Sequence, residues 1–114
     1  MNYDKKVINS WNVVTVQGDM AFPQIETVDK LSDEIKQLVK QGEYKFIFDF
    51  KDVPYIDSTG LSIVILTLSN AMRHDEPVKV CGLNQMTKNT FEVMVDFGVK
   101  YYNNISIALD EINK

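Results

Sequence analysis

The sequence predicts an α/β fold: a mixed, mostly parallel sheet of four or five strands packed with about four helices, in the order ββαβαβαβα, as one domain over residues 1–114. Three observations carry this expectation. Short β-branched runs alternate with longer segments of helical period. The run "YKFIFDF" at 44–50 is almost continuously apolar, the pattern of a strand covered on both faces. A chain of 114 residues that is 45% apolar can fill one core, and no linker, repeat or low-complexity tract divides it.

The elements follow in order. "VINSWNVVTVQG" places a polar pair between two β-type runs, which reads as two short strands joined by a tight turn. In "PQIETVDKLSDEIKQLVKQG", Ile25, Val28, Leu31, Ile35, Leu38 and Val39 recur at helical spacing, with Pro23 as the first helical residue. Glu26 and Asp29 sit early, Lys36 and Lys40 late, and Gly42 is placed to take a left-handed cap. A strand follows, so the strand–helix–strand order implies a parallel pair with a right-handed crossover. The segment from Ser58 to Met72 is too long for a typical strand. Its polar breaks at Ser62, Thr67, Ser69 and Asn70 do not alternate, so it reads as a buried helix.

"HDEP" is then a turn and "VKVCGL" a fourth strand. "NQMTKNTFEVMVDFG" is an amphipathic helix with Asn84 as N-cap, Phe91, Met94 and Val95 as its inward stripe, and Gly98 as its stop. "VKYYN" is a last short strand, and Ser106 is expected to cap a terminal helix with Ala108, Leu109 and Ile112 inward.

Composition excludes several classes of function. A formal net charge of -4 argues against a nucleic-acid surface, which needs clustered Lys and Arg. "MNYDKKVINSW" has no apolar h-region, and the longest apolar stretch, residues 61–72, is broken by polar residues; no signal peptide and no membrane span are expected. With one cysteine, Cys81, and one histidine, His74, no disulfide framework or zinc site can be assembled, so no metal and no cofactor are expected. Cys81 reads as a small buried hydrophobe. The default expectations are a cytoplasmic monomer.

The chemistry of interest is concentrated in "YIDSTGLSIVIL" at 55–66. In an open α/β sheet, sites form beyond the carboxyl ends of the parallel strands, where loops meet helix N-termini. Three loops should gather there: Gly18 to Phe22 with Asp19, Lys51 to Ser58, and Gly82 to Asn84. Asp57 or Ser58 reads first as an N-cap. An aspartic protease half-site fails on spacing, because Asp57 stands three residues before Gly60 rather than two. An esterase elbow fails because there is no G-x-S-x-G, and no base is placed to serve Ser58; no enzyme is expected. The remaining reading is a phosphoacceptor hydroxyl, whose phosphate the helix N-terminus would accommodate while the nearby Asp19, Asp52 and Asp57 make the modified surface repulsive to a docked partner.

"FIFDFKDVPYIDSTGLSIVI" resembles the signature of STAS-domain anti-sigma factor antagonists, in which a strand ending in an acid leads to D-S-[ST]-G-L and a buried helix. "VQGD" resembles the family's G-[ED] turn, and "VCGLNQMTKNTFEVMVDFGV" its strand, loop and helix ending in a Gly-apolar pair. The resemblance implies a regulatory protein without catalysis of its own. It implies that the unmodified protein binds an anti-sigma factor that is also a serine kinase of the histidine-kinase-like ATPase fold, that this kinase phosphorylates Ser58 and the pair separates, and that a PP2C-type serine phosphatase resets the switch. The partner-binding residues it implies are Gly18, Asp19, Asp57, Ser58, Thr59, Gly60 and Asn84, with Thr59 shaping the loop and Gly60 letting the kinase approach the backbone. One departure stands out: where many members read G-E-L-D, this chain reads Gly18-Asp19-Met20-Ala21, without the final acid; Phe22 and Met20 are available for an apolar contact with a partner, and Met20 reads at least as well as buried packing. The alternative is a STAS scaffold or transport-associated module that binds its partners stably, without a phosphorylation cycle.

Overall fold

The structure is a computed structural model, and it describes residues 1–95 and 98–110. Its elements are β1 (Asn2–Ile8), β2 (Trp11–Gln17), α1 (Ile25–Lys40), β3 (Phe46–Asp52), α2 (Ser58–Met72), β4 (Val78–Cys81), α3 (Gln85–Met94), β5 (Val99–Tyr102) and α4 (Ile105–Asp110), the order expected from the sequence. They form one five-stranded sheet with strand order β1-β2-β3-β4-β5. The β1–β2 pair is antiparallel and the other three are parallel. Asn9 and Ser10, with φ of 51° and 72°, form the two-residue turn between the antiparallel strands, a backbone twist that suits tight hairpins.

Every parallel crossover steps to the next strand in the same direction. With right-handed connections, that places α1, α2 and α3 on one face of the sheet. The core shows this: Val14, Val16, Phe46, Phe48, Phe50, Val78 and Val80 alternate toward Leu31 and Ile35 of α1, Leu61, Ile63 and Val64 of α2, and Phe91 of α3. The in-between strand residues Val13, Ile47 and Cys81 turn to the other face, where Trp11 and Ala108 of α4 complete a second cluster. The buried Lys79 helps to hold α4 there. Its ammonium donates to the Ala108 carbonyl at 2.9 Å and lies 4.7 Å from the Trp11 ring centroid.

The helix ends show local chemistry at work. Gly42, at φ +87°, closes α1 as its N–H donates to Val39 and that of Glu43 donates to Leu38, the pair of bonds of a Schellman cap. α2 is buried along most of its length, and its interior polar groups are satisfied: Thr67 donates to Ile63 at 2.8 Å and Asn70 to Glu43 at 2.6 Å.

Four local expectations are corrected. Pro23 does not begin α1. The Phe22–Pro23 bond is cis, and Gln24 donates back to the Ala21 carbonyl at 2.8 Å, so Pro23 closes a turn and the helix starts at Ile25. Ile25 is 41% exposed rather than in the core, because it occupies the first helical position, ahead of the stripe Val28, Leu31, Ile35. α3 stops at Met94 with Val95 extended, three residues before Gly98, whose positive φ instead leads the chain into β5. Asn104, not Ser106, caps α4, accepting the Ile107 N–H at 3.0 Å. Ile112 and the side chain of Met94, both expected inward, lie outside the described residues.

Candidate functional site

Because the strand order never reverses, the carboxyl edge of the sheet lacks the topological switch point at which doubly wound folds hold their ligands. The three loops expected at this edge meet as a surface instead. β3 ends at Asp52, whose carbonyl accepts the Gly18 N–H at 2.9 Å. The two loops then run side by side: Met20 and Ile56 form an isolated parallel bridge, with Met20 N–H donating to Tyr55 and Asp57 N–H donating to the Met20 carbonyl at 3.4 Å. The third loop joins through Asn84. Its amide donates to the Pro54 carbonyl at 3.0 Å, while its Oδ1 accepts the Thr87 N–H at 2.8 Å and caps α3.

The question of which residue caps α2 has a geometric answer. Asp57, extended at φ -114°, accepts the Thr59 N–H at 2.9 Å and the Gly60 N–H at 3.4 Å on Oδ1. Its second oxygen, Oδ2, accepts the Phe22 N–H at 3.2 Å, so one carboxylate serves the helix and the neighbouring loop. Ser58 is the first helical residue and exposed, and its hydroxyl takes no part in the cap. Thr59 is half-buried behind it, and its carbonyl accepts the Ser62 hydroxyl at 2.7 Å.

Gly60 has a different role from the one expected. It is buried, and a β-carbon on it would collide with the Met20 carbonyl oxygen and come within 2.8 Å of Ile56 Cγ1. The close approach that glycine permits is made by the chain's own β2–α1 loop, so the surface by which Gly60 was expected to admit a partner is already occupied.

Asp19 is exposed and Gly18 half-buried at φ +89°, both on the loop beside Asp57. Met20 is fully buried in the main core and Ala21 is 1% exposed, whereas Phe22 is 69% exposed. Of the two apolar residues considered for a contact at this edge, Phe22 is displayed and Met20 takes the buried alternative. Two others were not anticipated: Tyr55, 46% exposed, on the loop leading to Asp57, and Met86, 59% exposed, in the first turn of α3. Met86 was legible in principle. It lies five residues before the buried Phe91, roughly 140° around the helix from it.

Among the described residues no cluster of three or more His, Cys, Asp or Glu could hold a metal, and no helix is long and apolar enough to cross a membrane. Cys81 is buried beside Asp49, and burial first and the Asp49 carboxylate second push its thiol up to about 12, so it is a protonated core residue at neutral pH.

Comparison with known proteins decides the family, since the STAS domain family matches residues 2–106. The chain belongs to the STAS domain family. Among its relatives, the anti-sigma-B factor antagonist of Staphylococcus aureus is 23% identical over 93 residues, 82% of this chain and 83% of that one. The STAS fold is also seen in solved structures. The anti-sigma factor antagonist SpoIIAA in its unphosphorylated form superposes with a TM-score of 0.81 at 15% identity, covering 98% of each chain. The phosphorylated form of the Bacillus cell fate determinant SpoIIAA does so with a TM-score of 0.77 at 14% identity, covering 97% of this chain and 99% of that one.

Proposed function

We propose that this STAS protein is an anti-sigma factor antagonist switched by phosphorylation of Ser58. The observation that carries the reading is the division of labour at the head of α2. Asp57 supplies the cap, and Ser58 presents an exposed hydroxyl at the first helical position that the fold does not use. The likeness to an antagonist solved in both unphosphorylated and phosphorylated forms supports it.

The unmodified protein docks its carboxyl edge on an anti-sigma factor that is a serine kinase of the histidine-kinase-like ATPase fold. Phe22 and Tyr55 on their loops and Met86 in the first turn of α3 supply apolar contacts at this edge. The Ser58 oxygen attacks the γ-phosphorus of ATP, ADP leaves, and the hydroxyl proton passes to a base on the kinase. The product carries about -1.5 to -2 charges in a surface that has to be desolvated to stay docked, next to Asp57 and with Asp19 and Asp52 on the same loops. Keeping that dianion against apolar side chains is unfavourable, and the complex separates without any need for the fold to open. A PP2C-type phosphatase directs water to the phosphorus, returning the hydroxyl and releasing inorganic phosphate. The chain itself performs no catalysis.

Peptide-resolved mass spectrometry of the protein recovered from its own cells, with and without phosphatase treatment, tests this. A removable phosphate on Ser58 is expected. Ser58 unmodified across growth and stress conditions would overturn the switch and leave a stable-complex module.

A further inference from the structure

Resting on the reading of Ser58 as the modified hydroxyl, we infer that Asp57 transmits the modification to Phe22: a phosphate on Ser58 displaces the Asp57 carboxylate and so unties the backbone of the most exposed apolar residue at the docking edge.

The geometry gives Asp57 two clients. Oδ1 holds the Thr59 and Gly60 amides of α2, and Oδ2 holds the Phe22 amide of the β2–α1 loop. A phosphate on the adjacent residue adds three strong acceptor oxygens within reach of the same helix-terminal amides and a like charge beside the carboxylate. The amides have a better acceptor to turn to, and the carboxylate is repelled from the position where it bridges both segments.

Phe22 is where the loss is felt. Pro23 has no N–H, and the Gln24 N–H is committed to Ala21, so the Phe22 N–H is the donor that ties this stretch to α2. On the near side, Met20 and Ala21 are buried and Met20 is held by Tyr55 and Asp57 backbone groups, none of which involves the carboxylate. Displacing Asp57 therefore frees Phe22 and Pro23 and leaves the rest of the loop in place. The partner meets a new charge at Ser58 and, at the same time, an apolar anchor that is no longer held. Asp57 is a positioning residue in this scheme, acting on the partner through Phe22.

Amide exchange followed by NMR in four proteins tests the link, with no partner present: the unmodified chain, the chain with phosphoserine placed at 58 during translation, Asp57→Asn, and the combination. Asparagine keeps one acceptor oxygen for α2 but turns a donor toward Phe22, so it cuts one client and retains the other. Phosphoserine and Asp57→Asn should each raise Phe22 exchange about tenfold, as expected for losing a charge-assisted bond. Together they should raise it no further, and Thr59 and Gly60 should stay protected throughout. Unchanged Phe22 exchange in the phosphoprotein overturns the inference, as do effects that multiply in the combined protein. If Asp57→Asn fails to fold, the phosphoprotein against the unmodified chain decides alone. Because the phosphate is installed without a kinase, the result is separate from whether Ser58 is phosphorylated in cells.

Discussion

Gly60 of α2 and the carbonyl of Met20 are packed so closely that no side chain fits between them. A β-carbon there would also press on Ile56 Cγ1 and Met20 Cγ, both at 2.8 Å, and Met20 and Ile56 are core residues with nowhere to go. Gly60→Ala should therefore destabilise the fold by about 1–3 kcal/mol, the usual range for overpacking a close contact. Urea denaturation reads this directly. An unchanged midpoint would mean that the two loops slide apart without loss, contrary to the bridge between Met20 and Ile56.

Partner binding should separate cleanly from stability at Phe22 and Ser58. Phe22→Ala removes a side chain that is mostly in solvent, so unfolding stability should stay within about 0.5 kcal/mol of the parent. Affinity for the kinase should fall about tenfold or more if Phe22 is an anchor. Ser58→Ala should bind the kinase yet resist release by ATP, and Ser58→Asp should bind poorly. Calorimetry with the kinase measures all three; tight binding by Ser58→Asp would contradict release by charge.

Cys81 sets an alkaline limit on stability. The thiol ordinarily ionises at 9.0 and in the folded protein keeps its proton to about 12, through burial and the Asp49 carboxylate. Above pH 9 the unfolded chain releases a proton that the folded chain retains. The stabilisation is therefore whole below pH 9 and is lost as pH climbs toward 12. Tyr3 and Tyr101 are also raised, chiefly by burial, and act in the same direction from their ordinary value of 10.0 upward. Below about pH 9.5 Cys81, with the lowest ordinary value of the three, carries most of the slope, and Cys81→Ala should make the stability profile clearly shallower there. An equally steep slope in the variant would assign it to another group.

The cap of α4 can be tested by a pair of substitutions. Asn104→Ala should weaken the docking of α4 by about 1 kcal/mol, and Ser106→Ala, within the helix, should have no comparable effect. Amide exchange at Ile107 and Ala108 distinguishes them; equal effects would return the cap to Ser106.

The elements that were legible in the sequence are those in which local and tertiary preferences agree. Gly42 is a helix stop both by composition and by its left-handed backbone, and Asn84 is an N-cap whose oxygen has an amide three residues on to accept. Pro23, which the sequence misreads, and the cap of α2, which it leaves open, are places where two neighbouring residues compete for one role. Pro23 suits a first helical position by its fixed φ, but the turn from Ala21 to Gln24 claims it first. Asp57 and Ser58 are both good caps, and only the second oxygen of Asp57, with the Phe22 amide to satisfy, distinguishes the two. Exposure at the edge was harder still. Met20 and Phe22 are two residues apart and equally apolar, and what separates them is the Met20–Ile56 bridge, a pairing between segments 36 residues apart that no local pattern encodes.

The uninterrupted strand order also has a consequence for how the chain is made. From β3 onward, each strand that leaves the ribosome finds its partner already synthesised as the preceding strand, one helix earlier. No strand has to wait for a later segment to be inserted beside it, so the loop closed at each step is the length of a single crossover, whatever the length of chain already laid down. The sheet can be assembled vectorially, and parallel pairing, which is slow when its strands are distant in sequence, is kept to neighbours.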